Sequence, residues 1–104
     1  MSAKVYNKLV RDNIPEIIQA AGKEPKTHIL GDDEYVTALV EKLGEEYDEF
    51  KANHTIEELA DMQEVILALA GVLNISPEQL EAVRVDKAAD RGAFEQRIFL
   101  EEVS

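Results

Sequence analysis

The chain has 104 residues, 11 basic and 22 acidic side chains, a net charge of -11 and no cysteine. That length suits one domain, residues 1–104, and an apolar share of 45 % gives it material for a core. The charge argues against binding to nucleic-acid phosphates or to an anionic membrane surface, and the lack of cysteine excludes a disulfide framework and a thiolate metal site.

The opening MSAKVYNKLVRDN contains no apolar run of the signal-peptide kind. The longest apolar run, VILALAGVL at 65–73, is too short to span a bilayer. The expectation is a soluble, cytoplasmic protein with no nucleic-acid or membrane partner.

Ile14-Pro15-Glu16 reads as a helix start, with Asp12 or Asn13 near the cap and proline in the first turn; Gly22 ends it. PKTHILG at 25–31 is a connector or short strand. Asp32 and Asp33 open a long helix to about residue 53, with Val36, Leu39, Val40, Leu43, Tyr47 and Phe50 on one stripe. Asn53-His54 breaks it. Thr55-Ile56-Glu57-Glu58 has capping-box spacing and opens a third helix, striped by Leu59, Met62, Val65, Ile66, Leu69, Val72 and Leu73. Ser76-Pro77-Glu78-Gln79 is a second capping box, opening a fourth helix to about Asp90, with Gly92 beyond its end. FEQRIFLEEV alternates loosely. The expected fold is all-α, a four-helix bundle with a small two-stranded appendage from residues 26–30 and 94–100.

Two carboxylate pairs flank the break, Glu46-x-x-Glu49 and Glu58-x-x-Asp61. The plain reading is a solvated helix face, with Glu58 completing the Thr55 capping box. Helical phase points elsewhere. At about 100° per residue, Glu58 falls inside the third-helix stripe, Asp61 borders it, and Glu46 and Glu49 lean to one side of the second-helix stripe. Glu45 faces away. A short turn makes the two helices antiparallel neighbours. Glu49 and Glu58 lie equally far from the break, as do Glu46 and Asp61, so the pairs meet at matching heights.

Four converging carboxylates beside a core cannot all stay ionised without a counter-charge. The basic residues near them in sequence are Lys42 and Lys51. A hard divalent cation is the simpler answer. Mg²⁺ favours carboxylate oxygens and bridges to phosphate, with Mn²⁺ as its substitute. A di-iron site needs Glu-x-x-His on two helices, and neither His28 nor His54 has that spacing. Both histidines are read as structural or surface groups.

The pattern Glu45-Glu46-x-x-Glu49 … Glu58-x-x-Asp61 resembles the signature of the all-α nucleoside triphosphate pyrophosphatases, the MazG-like superfamily, which also holds phosphoribosyl-ATP pyrophosphohydrolase and the dimeric dUTPases. The opening Tyr6-Asn7-Lys8-Leu9-Val10-Arg11-Asp12-Asn13-Ile14-Pro15 and the ending Asp90-Arg91-Gly92-Ala93-Phe94 … Arg97-Ile98-Phe99-Leu100 resemble one small MazG-like branch. Only eight residues separate Glu49 from Glu58, which is short for the superfamily and implies a small pocket or one completed by another subunit.

The resemblance implies that Glu46, Glu49, Glu58 and Asp61 bind Mg²⁺ and serve hydrolysis between the α- and β-phosphates of a nucleoside triphosphate. The products are a nucleoside monophosphate and pyrophosphate, in nucleotide-pool cleansing. Glu45 is placed behind the ligands or in solvent. Phosphate oxygens also need donors: Lys87 and Arg91 at i and i+4, and Lys8 and Arg11 at i and i+3, are the candidates. A second enzyme reading takes phosphoribosyl-ATP of histidine biosynthesis as the substrate. A reading of another class is a non-catalytic acidic helical module for a protein partner. Leu67 lies off the main third-helix stripe and needs a cover; with the family resemblance, it implies a homodimer or homotetramer.

Overall fold

The computed structural model describes residues 3–104; Met1 and Ser2, which open the segment read for a signal run, lie outside the described residues. Four helices follow in chain order: α1, Ile14–Ala20; α2, Asp32–Ala52; α3, Ile56–Val72; α4, Pro77–Arg91. The protein is all-α. Residues 26–30 and 94–100, expected to pair as strands, form none: both are irregular, and Ile29, Phe94, Ile98, Phe99 and Leu100 are exposed. The reason is local. Alternation favours a strand only where one face meets a core, and neither segment reaches one here.

Start and stop signals account for the helix limits. Pro15 stands in the first turn of α1. Gly22, at φ +80°, closes that helix: its amide donates to the Gln19 carbonyl and the Lys23 amide to that of Ile18. This Schellman pattern requires a left-handed residue. Asn74 closes α3 the same way at φ 61°, with Asn74 N–H donating to Gly71 and Ile75 N–H to Ala70. At α4 the capping box is complete: Ser76 Oγ accepts from Gln79 N–H at 3.1 Å, and Gln79 Oε1 accepts from Ser76 N–H at 2.8 Å.

The Asn53–Thr55 turn folds α2 and α3 into an antiparallel hairpin, and these two helices pack against each other. Leu39, Val65 and Ala70 are its buried apolar residues; Val36, Leu43, Phe50, Met62, Leu67, Leu69 and Val72 are half-buried. Other stripe members stay exposed: Val40 and Tyr47 on α2, Leu59 and Ile66 on α3, and Leu73 at the α3 C-cap. Next, α4 leaves α3 at 109° and touches it. Among the described residues, no other helix packs against α1. The radius of gyration, 18.2 Å, far exceeds the roughly 13 Å of a compact chain this long. No single helix among the described residues is long and apolar enough to cross a membrane.

Candidate metal centre

The hairpin sets the four carboxylates at one level. Glu46 and Glu49 lie on the last turns of α2; Glu58 and Asp61 lie on the first turns of α3. One oxygen from each of the four falls within 4.8 Å of the others. An octahedral Mg²⁺ with oxygens at about 2.1 Å holds opposite ligands about 4.2 Å apart, so small side-chain movements would let one cation collect the set.

Burial is uneven. Glu46 is only 6 % exposed. Glu58 and Asp61 are half-buried, and Glu49 is exposed. The expectation from helical phase was that Glu46 would sit at the edge of the stripe; in the fold it is the most buried of the four. Glu46 Oε2 and Glu58 Oε2 are buried with no hydrogen-bond partner. A buried charged oxygen left unsatisfied costs more than the roughly 1–3 kcal/mol of a neutral group. Both oxygens belong to the cluster and are available as acceptors for a cation.

Glu58 is free for this role because it does not complete its capping box. Thr55 Oγ1 accepts from Glu58 N–H at 3.3 Å, which caps α3. The return bond is missing: Thr55 N–H donates to the Asn53 carbonyl at 2.9 Å. Ser76 and Gln79 show what a closed box looks like in the same chain.

Two basic side chains partly balance the cluster. Lys42 Nζ lies 3.3 Å from Glu46 Oε1 and 3.3 Å from Glu45 Oε2. Its spacing of one turn from both glutamates was visible in sequence. Glu45 thus stands behind Glu46, sharing its lysine. Burial pushes the Glu46 carboxyl above the usual carboxylate range; the Lys42 hydrogen bond works against this, and the nearby Glu49 carboxylate adds to it. For Lys42, burial acts to lower the ammonium pKa, but hydrogen bonds to Glu46 and then Glu45 outweigh it and raise it.

The second basic side chain is Arg11. Its Nη2–H donates to Asp61 Oδ1 at 2.6 Å. Sequence spacing had suggested Arg11 only as a phosphate donor; nothing local pairs it with a residue fifty positions away. The other suggested donors make no ion pair with the cluster. Lys8 lies near the Tyr6 ring, 6.0 Å from its centre. Arg91 meets its neighbour Asp90 at 3.9 Å, and both Arg91 and Lys87 are exposed on α4. Lys51 lies 5.6 Å from the centre of the Tyr47 ring rather than on a carboxylate. His54 stacks on Phe50 at 4.8 Å, a structural role.

No family model matches the chain, and no solved structure matches it. It is similar to an uncharacterized protein of Mycolicibacterium smegmatis, 53 % identical over 47 residues, which is 45 % of this chain and 48 % of that protein. The chain thus matches about half the length of that relative, whose name assigns no activity.

Proposed function

We propose that this chain is a Mg²⁺-dependent nucleoside triphosphate pyrophosphohydrolase, cleaving between the α- and β-phosphates to give a nucleoside monophosphate and pyrophosphate. The observation that carries the reading is the convergence of Glu46, Glu49, Glu58 and Asp61, with two of their buried oxygens unpartnered. The resemblance to MazG-like pyrophosphatases, drawn from the same four residues and from both chain ends, supports it.

Each residue then has a part. Glu46, Glu58 and Asp61 would hold the cation, and Glu49, the exposed member of the set, would complete it toward solvent and an incoming triphosphate. Lys42 keeps Glu46 oriented from one turn away. Arg11 and Lys8, from the segment ahead of α1, and Lys87 and Arg91, from α4 of this chain or of a second copy, are donors for phosphate oxygens. Mg²⁺ bound there would supply positive charge that offsets the phosphates and activates water. Mn²⁺ is expected to substitute.

A homodimer or homotetramer is part of the proposal. Leu59, Ile66 and the C-cap residue Leu73 repeat every seven residues along α3 to its end and are exposed; so are Val40 and Tyr47 on α2. Each stripe lies about 100° round its helix from the α2–α3 contact. Since the helices run antiparallel, both stripes fall on the same side of the hairpin. An apolar face of this kind marks an interaction site, and a second hairpin has the matching surface.

The test is pyrophosphate release from a panel of canonical and modified nucleoside triphosphates, with Mg²⁺ and with chelator. Release that needs Mg²⁺ and stops in Glu58→Gln supports the reading. Silence on the panel but release from phosphoribosyl-ATP would move the substrate to histidine synthesis. Silence on both, without cation binding, would leave an acidic interaction module, against which the open capping box at Glu58 already argues.

A further inference from the structure

Among the described residues, two of the four clustered carboxylates carry a basic partner: Glu46 has Lys42 and Asp61 has Arg11. The two partners differ in how they are held. Lys42 is on the same helix as Glu46, one turn away, and its side chain is only 18 % exposed. Arg11 comes from the irregular segment before α1, and its side chain is 55 % exposed. It reaches α3 through Asp61, with Glu64 Oε1 a further 3.9 Å contact. The helix that follows it, α1, packs on no other helix among the described residues. The contact to Asp61 is therefore a tie between a loosely held segment and the cluster.

A guanidinium and a divalent cation compete for the same carboxylate oxygen, and they repel each other at contact range. An exposed ion pair contributes little and is easily exchanged. We propose that Arg11 is a placeholder at Asp61. It neutralises the carboxylate while no cation is bound, and cation binding drives it off, releasing the N-terminal segment and freeing the guanidinium for a phosphate oxygen. This rests on the reading of the cluster as a cation site, for which the nearly fully buried Glu46, with Oε2 unpartnered, is the independent observation.

The experiment is a Mn²⁺ titration of the full chain without nucleotide, reading free Mn²⁺ by electron paramagnetic resonance. Wild type, Arg11→Gln and Lys4→Gln are compared. Lys4 lies on the same segment, over the Tyr6 ring and without a carboxylate partner, so its variant makes the same change in net charge. Arg11→Gln is expected to bind Mn²⁺ about two- to fivefold more tightly, the range set by an exposed ion pair; Lys4→Gln is expected to match wild type. A second readout is tryptic cutting after Arg11. Saturating Mn²⁺ should speed it in the wild type, and Asp61→Asn should speed it with no metal present. Equal affinity in wild type and Arg11→Gln, an equal gain in Lys4→Gln, or cutting that neither Mn²⁺ nor Asp61→Asn alters overturns the placeholder and leaves the cation site standing. No Mn²⁺ binding in any of the three overturns the cation site and the placeholder with it.

Discussion

Thr55 and Glu58 share one hydrogen bond where a capping box would have two. The threonine hydroxyl takes the Glu58 amide, and the Glu58 carboxylate turns away to the cluster. Capping and ligation are thereby separated within a single residue: its backbone caps, and its side chain is available.

That separation makes Glu58→Gln informative. The Glu58 amide hydrogen bond to Thr55 survives, and the change removes an unsatisfied buried charge, so folding stability in chelator should hold or rise. Divalent cation affinity should fall at least tenfold, and turnover should be lost. Thermal melting in chelator beside a Mn²⁺ titration checks both. A variant that binds Mn²⁺ like the wild type would remove Glu58 from the ligand set.

Thr55→Ala tests the other half of the pair. Loss of an N-cap hydroxyl costs about 1 kcal/mol, so its denaturant midpoint should drop while the four carboxylates remain. Ser76→Ala should cost a similar amount at α4. Urea unfolding of both variants is the check, and no loss in Thr55→Ala would mean that the α3 cap is idle.

Burial raises the Glu46 carboxyl in the fold relative to the unfolded chain. The folded state then holds its proton more tightly, and the sign follows. This group's contribution is fully present below the ordinary carboxylate value and is lost as pH rises through the raised value. In chelator, the protein should gain stability as pH falls from neutrality toward the ordinary carboxylate range, and Glu46→Gln should flatten that slope. With saturating Mn²⁺ the slope should reverse, because the proton now competes with the cation. Urea midpoints across that window, with and without Mn²⁺, measure both trends.

The exposed heptad on α3 predicts self-association. Sedimentation at micromolar concentration should give a dimer or larger, and Ile66→Lys, in the middle of the stripe, should shift it toward monomer. A wild-type monomer under those conditions would count against the assembly.

Much of the site was legible because it is local. Thr55, Pro77, Gly22 and Gly92 mark helix ends through capping chemistry that acts within a few residues. A three-residue break forces α2 and α3 antiparallel, and equal distances from it bring Glu46 level with Asp61 and Glu49 level with Glu58. Periodicity was less informative about burial. It put Val40 and Leu59 on the same stripes as Leu39 and Val65, yet only the latter pair is buried, because a stripe shows which side is apolar and not how much of it a neighbour covers. The strands expected at 26–30 and 94–100 failed for the same reason: alternation cannot supply the partner.

Local pattern was enough to specify four helices, their approximate limits, and four carboxylates at one level of a hairpin, since each follows from backbone hydrogen bonding and helical pitch over short distances. Packing in three dimensions set which oxygens are left unpartnered, that Glu46 is buried while Glu49 is open, and that Arg11 closes on Asp61. Those outcomes depend on contacts between residues far apart in the chain, and on the solvent each contact removes, which no local pattern encodes.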